Sequence, residues 1–224
     1  MSKLFLVPTP IGNLKDITYR AVEILGSVEI ILAEDTRHAG NLLKQYNIRS
    51  KLLSHHKFNE HNAVDSVCAM IESGKTVALI SDAGTPGISD PGFLLVRKCI
   101  EKGIPVETLP GPSALIPALV NSGLPSDRFC FEGFLPAKKG RQKRLTSLEE
   151  ETRTMIFYES PYRLLKTLDE MAEHFGPERQ ASVSRELSKI FEETIRGSLS
   201  SLSDHFSNKP PKGEIVLVVS GKKE

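Results

Sequence analysis

The stretch Thr76-Val77-Ala78-Leu79-Ile80-Ser81-Asp82-Ala83-Gly84-Thr85-Pro86-Gly87-Ile88-Ser89-Asp90-Pro91-Gly92 runs a short apolar segment straight into a loop of unusual composition. From Asp82 onward it holds three glycines and two prolines in eleven positions, more than a chain reversal requires. Glycine allows positive φ and close backbone approach, and proline freezes the path, so the loop is shaped around something. The five residues before it, Thr76 and four apolar ones, have the length of a buried strand, and Phe93, Val96 and Ile100 resume at helical spacing beyond it. Strand, glycine-rich loop and helix in succession are the repeating unit of a parallel α/β sheet.

Neighbouring segments fit the same unit. Residues 4–7, 28–33 and 106–109 read as further strands, and Val64, Val67, Cys68 and Ile71 recur as one face of a helix. The alternation predicts an N-terminal, mostly parallel sheet covered by helices on both faces. A segment with three prolines in nine positions, residues 109–117, marks a junction between a first domain, 1–112, and a second, 113–224. In the second domain, strands are expected at 129–134, 154–158, 181–185, 191–196 and 214–219, and helices at 145–151 and 161–174. That half reads as a mixed α/β sheet with at least one antiparallel pair.

Over 224 residues, 29 Lys and Arg face 28 Asp and Glu, a net charge of +1 that excludes both an acidic-tail protein and a histone-like one. A hydrophobic fraction of 39% excludes compositional disorder. The N-terminus carries no secretory h-region, and no apolar run approaches the ~18 residues of a membrane span. Cys68, Cys99 and Cys130 read as reduced, buried thiols of a cytoplasmic protein. Six histidines form no H-E-x-x-H pattern, so no metal site is expected. Neither a P-loop nor a G-x-S-x-G elbow is present.

Four segments carry the candidate chemistry. The first strand leads into Pro8-Thr9-Pro10-Ile11-Gly12-Asn13-Leu14 at the carboxyl edge of the sheet, where ligands bind α/β folds. With one glycine it is no dinucleotide fingerprint, although Glu34, 22 residues after Gly12, keeps a nicotinamide enzyme as a rival. In the glycine-rich loop Asp82 can accept hydrogen bonds from an ammonium or ribose hydroxyls, whereas Asp90 is expected to cap the following helix. A purely structural loop is the alternative. In Ala33-Glu34-Asp35-Thr36-Arg37-His38, Asp35 or Thr36 caps a helix and leaves Glu34 and Arg37 facing the sheet edge. Residues 136–144 carry five positive charges and no acid, which suits a phosphate backbone; the competing reading is a solvated loop offset by Glu149, Glu150 and Glu151. No aromatic interrupts this run, so base stacking from it is not indicated.

These segments, with Leu109-Pro110-Gly111-Pro112-Ser113-Ala114 and Phe131-Glu132-Gly133-Phe134-Leu135-Pro136, resemble the successive motifs of the bacterial small-subunit (16S) ribosomal RNA cytidine 2′-O-methyltransferase family, a branch of the tetrapyrrole methylase superfamily. Phe157-Tyr158-Glu159-Ser160-Pro161-Tyr162-Arg163, Arg185-Glu186-Leu187-Ser188-Lys189 and Lys212-Gly213-Glu214-Ile215-Val216-Leu217 extend the likeness over essentially the whole chain. It implies a two-domain tetrapyrrole-methylase-like α/β fold, a homodimer, and S-adenosyl-L-methionine held in the cleft between the domains. Carried over by position, the cofactor pocket uses Pro10, Ile11, Ser81, Asp82, Gly84, Thr85, Ser113 and Ala114, with Tyr158, Leu187 and Glu214 from the second domain. The first loop departs from the glycine-rich, acid-ending loop of the porphyrin-type members, which favours an RNA acceptor.

The implied reaction, methyl transfer to a ribose 2′-hydroxyl, needs orientation, desolvation and a proton acceptor, and no metal. Glu34, Asp35, Glu159 and Glu186 are the candidate acceptors or hydroxyl-orienting groups. Arg37, Arg185 and Lys189 are candidates for flanking phosphates, and Lys138, Lys139, Arg141, Lys143 and Arg144 for the RNA backbone. The expected partner is small-subunit ribosomal RNA or the assembled small subunit, in the cytoplasm, with no DNA or membrane involved. Two rivals remain: a methyltransferase acting on a small tetrapyrrole, and a noncatalytic RNA-binding factor on the same fold.

Overall fold

The computed structural model describes residues 2–57 and 59–222. They form two compact units, 1–113 and 114–224.

The first unit alternates β1 (Leu4–Leu6), α1 (Tyr19–Ser27), β2 (Ile30–Ala33), α2 (Thr36–Gln45), β3 (Lys51–Ser54), α3 (Glu60–Glu72), β4 (Val77–Ile80), α4 (Phe93–Glu101) and β5 (Val106–Thr108). All five strands are parallel, in the order β3-β2-β4-β1-β5. Alternation along each strand sorts the core into two layers. Leu4, Leu6, Val77 and Leu79 pack with Val67 and Ile71 of α3 and with Leu95 of α4. Phe5, Val7, Ala78 and Ile80 face Leu25 of α1 and Leu43 of α2. From β1 the chain crosses toward β2, and from β4 it crosses to the opposite side, toward β5. The carboxyl ends of β1 and β4 therefore flank the topological switch point, where α/β sheets open a crevice.

Helix α4 exists where its periodicity indicated, but with another face inward. Leu95 and Cys99 are buried, whereas Phe93 and Ile100 are 63% and 66% exposed. Cys68 and Cys99 are free thiols, and their sulfurs lie 3.9 Å apart between α3 and α4. Burial, followed by the neighbouring Cys68, pushes the Cys99 thiol up to about 12, which keeps it unreactive.

The second unit holds α5 (Leu115–Ser122), β6 (Phe129–Phe134), α6 (Arg141–Leu148), β7 (Thr154–Glu159), α7 (Leu164–Phe175), β8 (Gln180–Arg185), β9 (Glu193–Ser198), α8 (Leu199–Asn208) and β10 (Ile215–Val219). Its sheet order is β6-β7-β10-β8-β9; β6 and β7 run parallel and the other pairs antiparallel. The central strand β10 reads Ile-Val-Leu-Val-Val and is buried on both faces. Helices α6, α7 and α8 cover one face through Leu145, Leu168, Met171, Leu202 and Phe206.

Sequence periodicity gave no clear signal for α5 and α8. Pro117 falls in the first turn of α5, where its missing N–H costs no helical bond. Four serines dilute α8, yet Leu199, Leu202 and Phe206 still form its buried stripe.

Candidate functional site

Strand order brings the first unit's loops together at one edge. The neighbours β4, β1 and β5 end side by side, so the loops that follow them must pack against one another. Thr9 and Gly84 exchange two backbone hydrogen bonds, each 2.9 Å, and the Thr9 hydroxyl donates to the Ser81 carbonyl at 3.0 Å. The Thr85 hydroxyl reaches the Pro112 carbonyl at 3.1 Å. Gly111 lies so close to Pro8 that a Cβ there would sit 2.7 Å from the proline ring. Gly84, Gly87 and Gly92 all have positive φ, of +80°, +83° and +136°, and side-chain-bearing residues resist that region. The result is a stitched rim of backbone around Pro10, Ile11, Ser81, Asp82, Gly84 and Thr85, with Ser113 at its end.

Carboxylates line this rim. Strand β2 lies next to β4, which sets Glu34 and Asp35 beside the glycine-rich loop, and the Asp35 amide donates to the Asp82 carboxylate at 3.2 Å. Burial, then the Asp82 charge, raises the Glu34 carboxyl above its ordinary range. Asp90 is pushed up to about 6, first by burial and then by Glu34, with Asp82 adding to the shift and a hydrogen bond from Ser81 opposing it. Three acids thus share one partly desolvated edge, which favours a cationic guest and lets a carboxyl accept a proton near neutral pH.

Two expectations change here. Asp90 does not cap α4; Gly92 occupies that position with φ +136° and no side-chain cap. The Pro91-Gly92 turn frees the Asp90 carboxyl to lie among Glu34, Ser81 and Asp82. Asp35, by contrast, is consumed locally. It accepts from the Arg37 and His38 amides as the cap of α2 and pairs with the Arg37 guanidinium at 3.0 Å. Those bonds, the Arg37 side chain first, hold its carboxyl down at about 2. A carboxylate that acidic is a poor proton acceptor, and Arg37 is already committed to it.

Beneath the rim lies a feature with no sequence signature. The His55 side chain is fully buried, and neither ring nitrogen has a hydrogen-bond partner among the described residues. Its Nε2 lies 3.8 Å from Glu60 Oε1, which accepts the Gly92 amide at 2.9 Å. Burial pushes the His55 imidazole below its usual value, with Glu60 pulling the other way. Glu60 thus ties the start of α3 to the far end of the glycine-rich loop. His55 and Glu60 are near in sequence, but only the tertiary fold brings Gly92 to them, so spacing does not reveal the cluster.

The second unit carries its own edge. Register pairs Ile215 with both Glu159 and Arg185, and Arg185 with Glu193. Tyr158, Leu187 and Glu214 therefore come to the same end of that sheet, together with Glu186 and Lys189. Tyr158 is half-buried, edge-on to Phe131 and Phe134. Glu186 and Ser188 have φ of +51° and +66°, an uncommon conformation for residues with side chains. The Lys189 ammonium bridges Glu186 at 2.9 Å and Glu214 at 3.1 Å. A Cβ on Gly213 would collide with the Glu186 carboxylate. Lys189, then the Glu214 backbone, lowers the Glu186 carboxyl.

Glu159 and Arg141 do not stand where a substrate could reach them. Glu159 is buried; it pairs with Arg163 at 2.7 Å and accepts the Thr167 hydroxyl at 2.7 Å. Arg141 is 4% exposed, donating to Glu170 at 2.6 Å, to Thr167 at 2.7 Å and to the Pro136 carbonyl at 3.3 Å. A desolvated guanidinium needs these partners, so Arg141 anchors the loop from within. Arg144 is held by Glu132, and Arg185 by Glu193 at 2.7 Å. Of the basic run, Lys138, Lys139, Lys143 and Arg144 are exposed, the last of them paired with Glu132. Glu149, Glu150 and Glu151 do not neutralise it: they pair with His174, Lys222 and Arg153. The described residues hold no cluster of potential metal ligands and no helix long and apolar enough to cross a membrane.

The sequence profile of the tetrapyrrole (corrin/porphyrin) methylases matches residues 3–203. Ribosomal RNA small subunit methyltransferase I of Synechocystis sp. is 50% identical over 222 residues, covering 99% of this chain and 80% of that protein. The protein of the same name from Thermotoga maritima is 48% identical, covering 99% of this chain and all of its own length. Among solved structures, the methyltransferase CobJ superposes with a TM-score of 0.72 at 19% identity, covering 99% of this chain and 95% of that one. Uroporphyrin-III C-methyltransferase from Thermus thermophilus, solved with S-adenosylhomocysteine, superposes with a TM-score of 0.67 at 17% identity, covering 97% of each chain.

Proposed function

Since the chain belongs to the tetrapyrrole methylases and, among them, to the family of ribosomal RNA small subunit methyltransferase I, we propose that it transfers a methyl group from S-adenosylmethionine to the 2′-hydroxyl of a cytidine in small-subunit ribosomal RNA. The observation that carries this reading is the half-identity to that family over nearly the entire chain.

The rim's chemistry suits the cofactor. S-adenosylmethionine supplies a methyl group on a cationic sulfonium and presents an ammonium and ribose hydroxyls for recognition. Asp82, fixed by the Asp35 amide, accepts hydrogen bonds from such donors. The glycine-rich backbone of 84–87 allows close approach, and Ser81 and Thr85 hold its shape through their own bonds to Gly84 and Pro112. For the reaction, an acceptor must take the ribose proton as the oxygen becomes a nucleophile. Glu34 and Asp90 are the better-suited carboxyls, because burial raises both. Asp35 is too acidic for that role, and Glu159 is walled in. Glu186, lowered by Lys189, serves position rather than proton transfer.

The same reading makes the acceptor the RNA itself or the assembled small subunit, bound by a homodimer in the bacterial cytoplasm, with no part for DNA or membrane. In the second unit, Tyr158, Leu187 and Glu214 are proposed for the cofactor and Lys189 for ordering their loop. A tetrapyrrole acceptor, as named for some structural relatives, is the competing outcome. Calorimetric titration of S-adenosylmethionine into the protein and into Asp82→Asn tests the rim directly. Binding that weakens at least tenfold in the variant supports this assignment; equal binding removes Asp82 from the pocket.

A further inference from the structure

The loops at one end of the second sheet expose large apolar side chains that no core claims. Tyr162, between β7 and α7, is 97% exposed. Ile190 and Phe191, between β8 and β9, are 94% and 69% exposed. Their loops share an edge, because β7 and β8 both flank β10 and end at the same level, Glu159 and Arg185 each pairing with Ile215. Two strand spacings separate them, about 10 Å. The loop after β6 brings Lys138 and Lys139 to that edge, and the segment before β10 brings Lys212.

The acids of the same loops are already engaged. Glu159 pairs with Arg163, Glu186 and Glu214 with Lys189, and Glu193 with Arg185 and Lys209. Glu192 accepts the Ser188 amide at 2.7 Å. Lys138, Lys139 and Lys212 are exposed and have no acidic partner among the described residues. Solvent-facing apolar side chains gathered at one edge mark an interaction surface, and the uncompensated ammonium groups give that edge a positive charge. They match the two faces of an unpaired nucleotide, a phosphate and a π-surface. The basic run has no aromatic in sequence, but topology supplies rings from two other loops.

We propose that this loop edge binds unpaired nucleotides of the RNA, with Tyr162 and Phe191 stacking on bases and Lys138, Lys139 and Lys212 holding the intervening phosphates. The inference rests on the RNA reading above and adds to it the conformation of the substrate: single-stranded, with bases turned out. A charged edge argues against a second copy of the chain as the occupant, since two such edges meeting would oppose lysine to lysine.

The test is titration of the whole protein with a single-stranded oligoribonucleotide carrying the target sequence, and with the same strand annealed to its complement. Tyr162→Ala and Phe191→Ala should each weaken binding of the single strand about tenfold, with the slope against log salt unchanged. Tyr162→Phe and Phe191→Trp should restore it. Lys138→Ala, Lys139→Ala and Lys212→Ala should instead flatten the salt slope by roughly one each. Cofactor affinity, read by calorimetry, should stay at the wild-type value in all of them. If wild-type protein binds the single strand and both aromatic variants bind it equally well, the stacking proposal is overturned while the RNA reading stands. If the aromatic variants leave RNA binding intact but shift the sedimentation coefficient from dimer to monomer, the edge is an interface between copies. If wild-type protein binds neither the RNA strand nor the small subunit, both readings fall.

Discussion

The carboxylates of Asp82 and Asp90 stand at the two ends of one glycine-rich loop, yet both face the same sheet edge, and Asp82 adds to the burial and the Glu34 charge that raise Asp90. The loop is closed between them, by Ser81 and Thr9 at its start and by the Glu60 carboxylate holding the Gly92 amide at its end. Acidic groups kept near one another in this way need a rigid backbone, which is what the glycines and prolines supply.

Gly92 tests that rigidity. A Cβ there would lie 2.8 Å from Leu79 in a backbone with φ +136°, whereas one on Gly87, at φ +83°, meets nothing within 4 Å. Gly92→Ala should lower unfolding free energy by about 2–4 kcal/mol, since strain and collision add. Gly87→Ala should cost about 1–2 kcal/mol, from the left-handed backbone alone. Urea denaturation of the two variants checks the order.

Asp90 sets a pH dependence of defined sign. Its folded value of about 6 stands above the ordinary 3.8. Between these values the folded protein holds a proton that the unfolded chain lacks, so this group's contribution to stability falls as pH rises from about 4 to 6. Asp90→Asn should remove that slope and raise the unfolding midpoint at pH 7. If Asp90 accepts the substrate proton, the same variant should also lose the limb of the activity profile near pH 6. A profile that keeps its limb would move the role to Glu34.

His55 acts in the opposite direction. Burial depresses its imidazole below the ordinary value of about 6.5, so the unfolded chain binds a proton the folded one refuses. Stability from this site is present above pH 6.5 and is lost as pH falls through 6.5 toward the depressed value. His55→Leu should flatten that acid-side loss, measured by thermal unfolding across pH 5 to 7.

Arg141 separates anchoring from RNA contact. Arg141→Ala leaves Glu159 and Glu170 short of a buried counter-charge, and should cost about 3–5 kcal/mol of stability. Lys139→Ala, on the exposed side of the same loop, should change stability by less than about 0.5 kcal/mol while weakening RNA binding. Circular dichroism melts beside filter binding distinguish the two effects.

Much of this was legible from residue pattern alone. The strand before Ser81 and the helix beyond Gly92 follow from length and period, and the motifs after β1, β2, β4 and β5 announce themselves by glycine, proline and acid content. Charge counting misread the basic run, because Arg141 and Lys139 look alike in sequence and only packing turns one inward and the other out. Asp90 reads as a cap for a similar reason: Asp-Pro-Gly suits a helix start, but the positive φ at Gly92 hands the cap to glycine. Gly92 lies far along the chain from His55 and Glu60, and the order β3-β2-β4 brings it to them. In α4 the periodic residues were real, but an apolar stripe on a short helix does not say which side the sheet will take.

The most direct test of the central claim is nucleoside mass analysis of small ribosomal subunits that lack the modification, incubated with this protein and isotopically labelled S-adenosylmethionine. The account predicts labelled 2′-O-methylcytidine, abolished or sharply reduced in Asp82→Asn. Label found in an added porphyrinoid, with none in the RNA despite measurable cofactor binding, would contradict it.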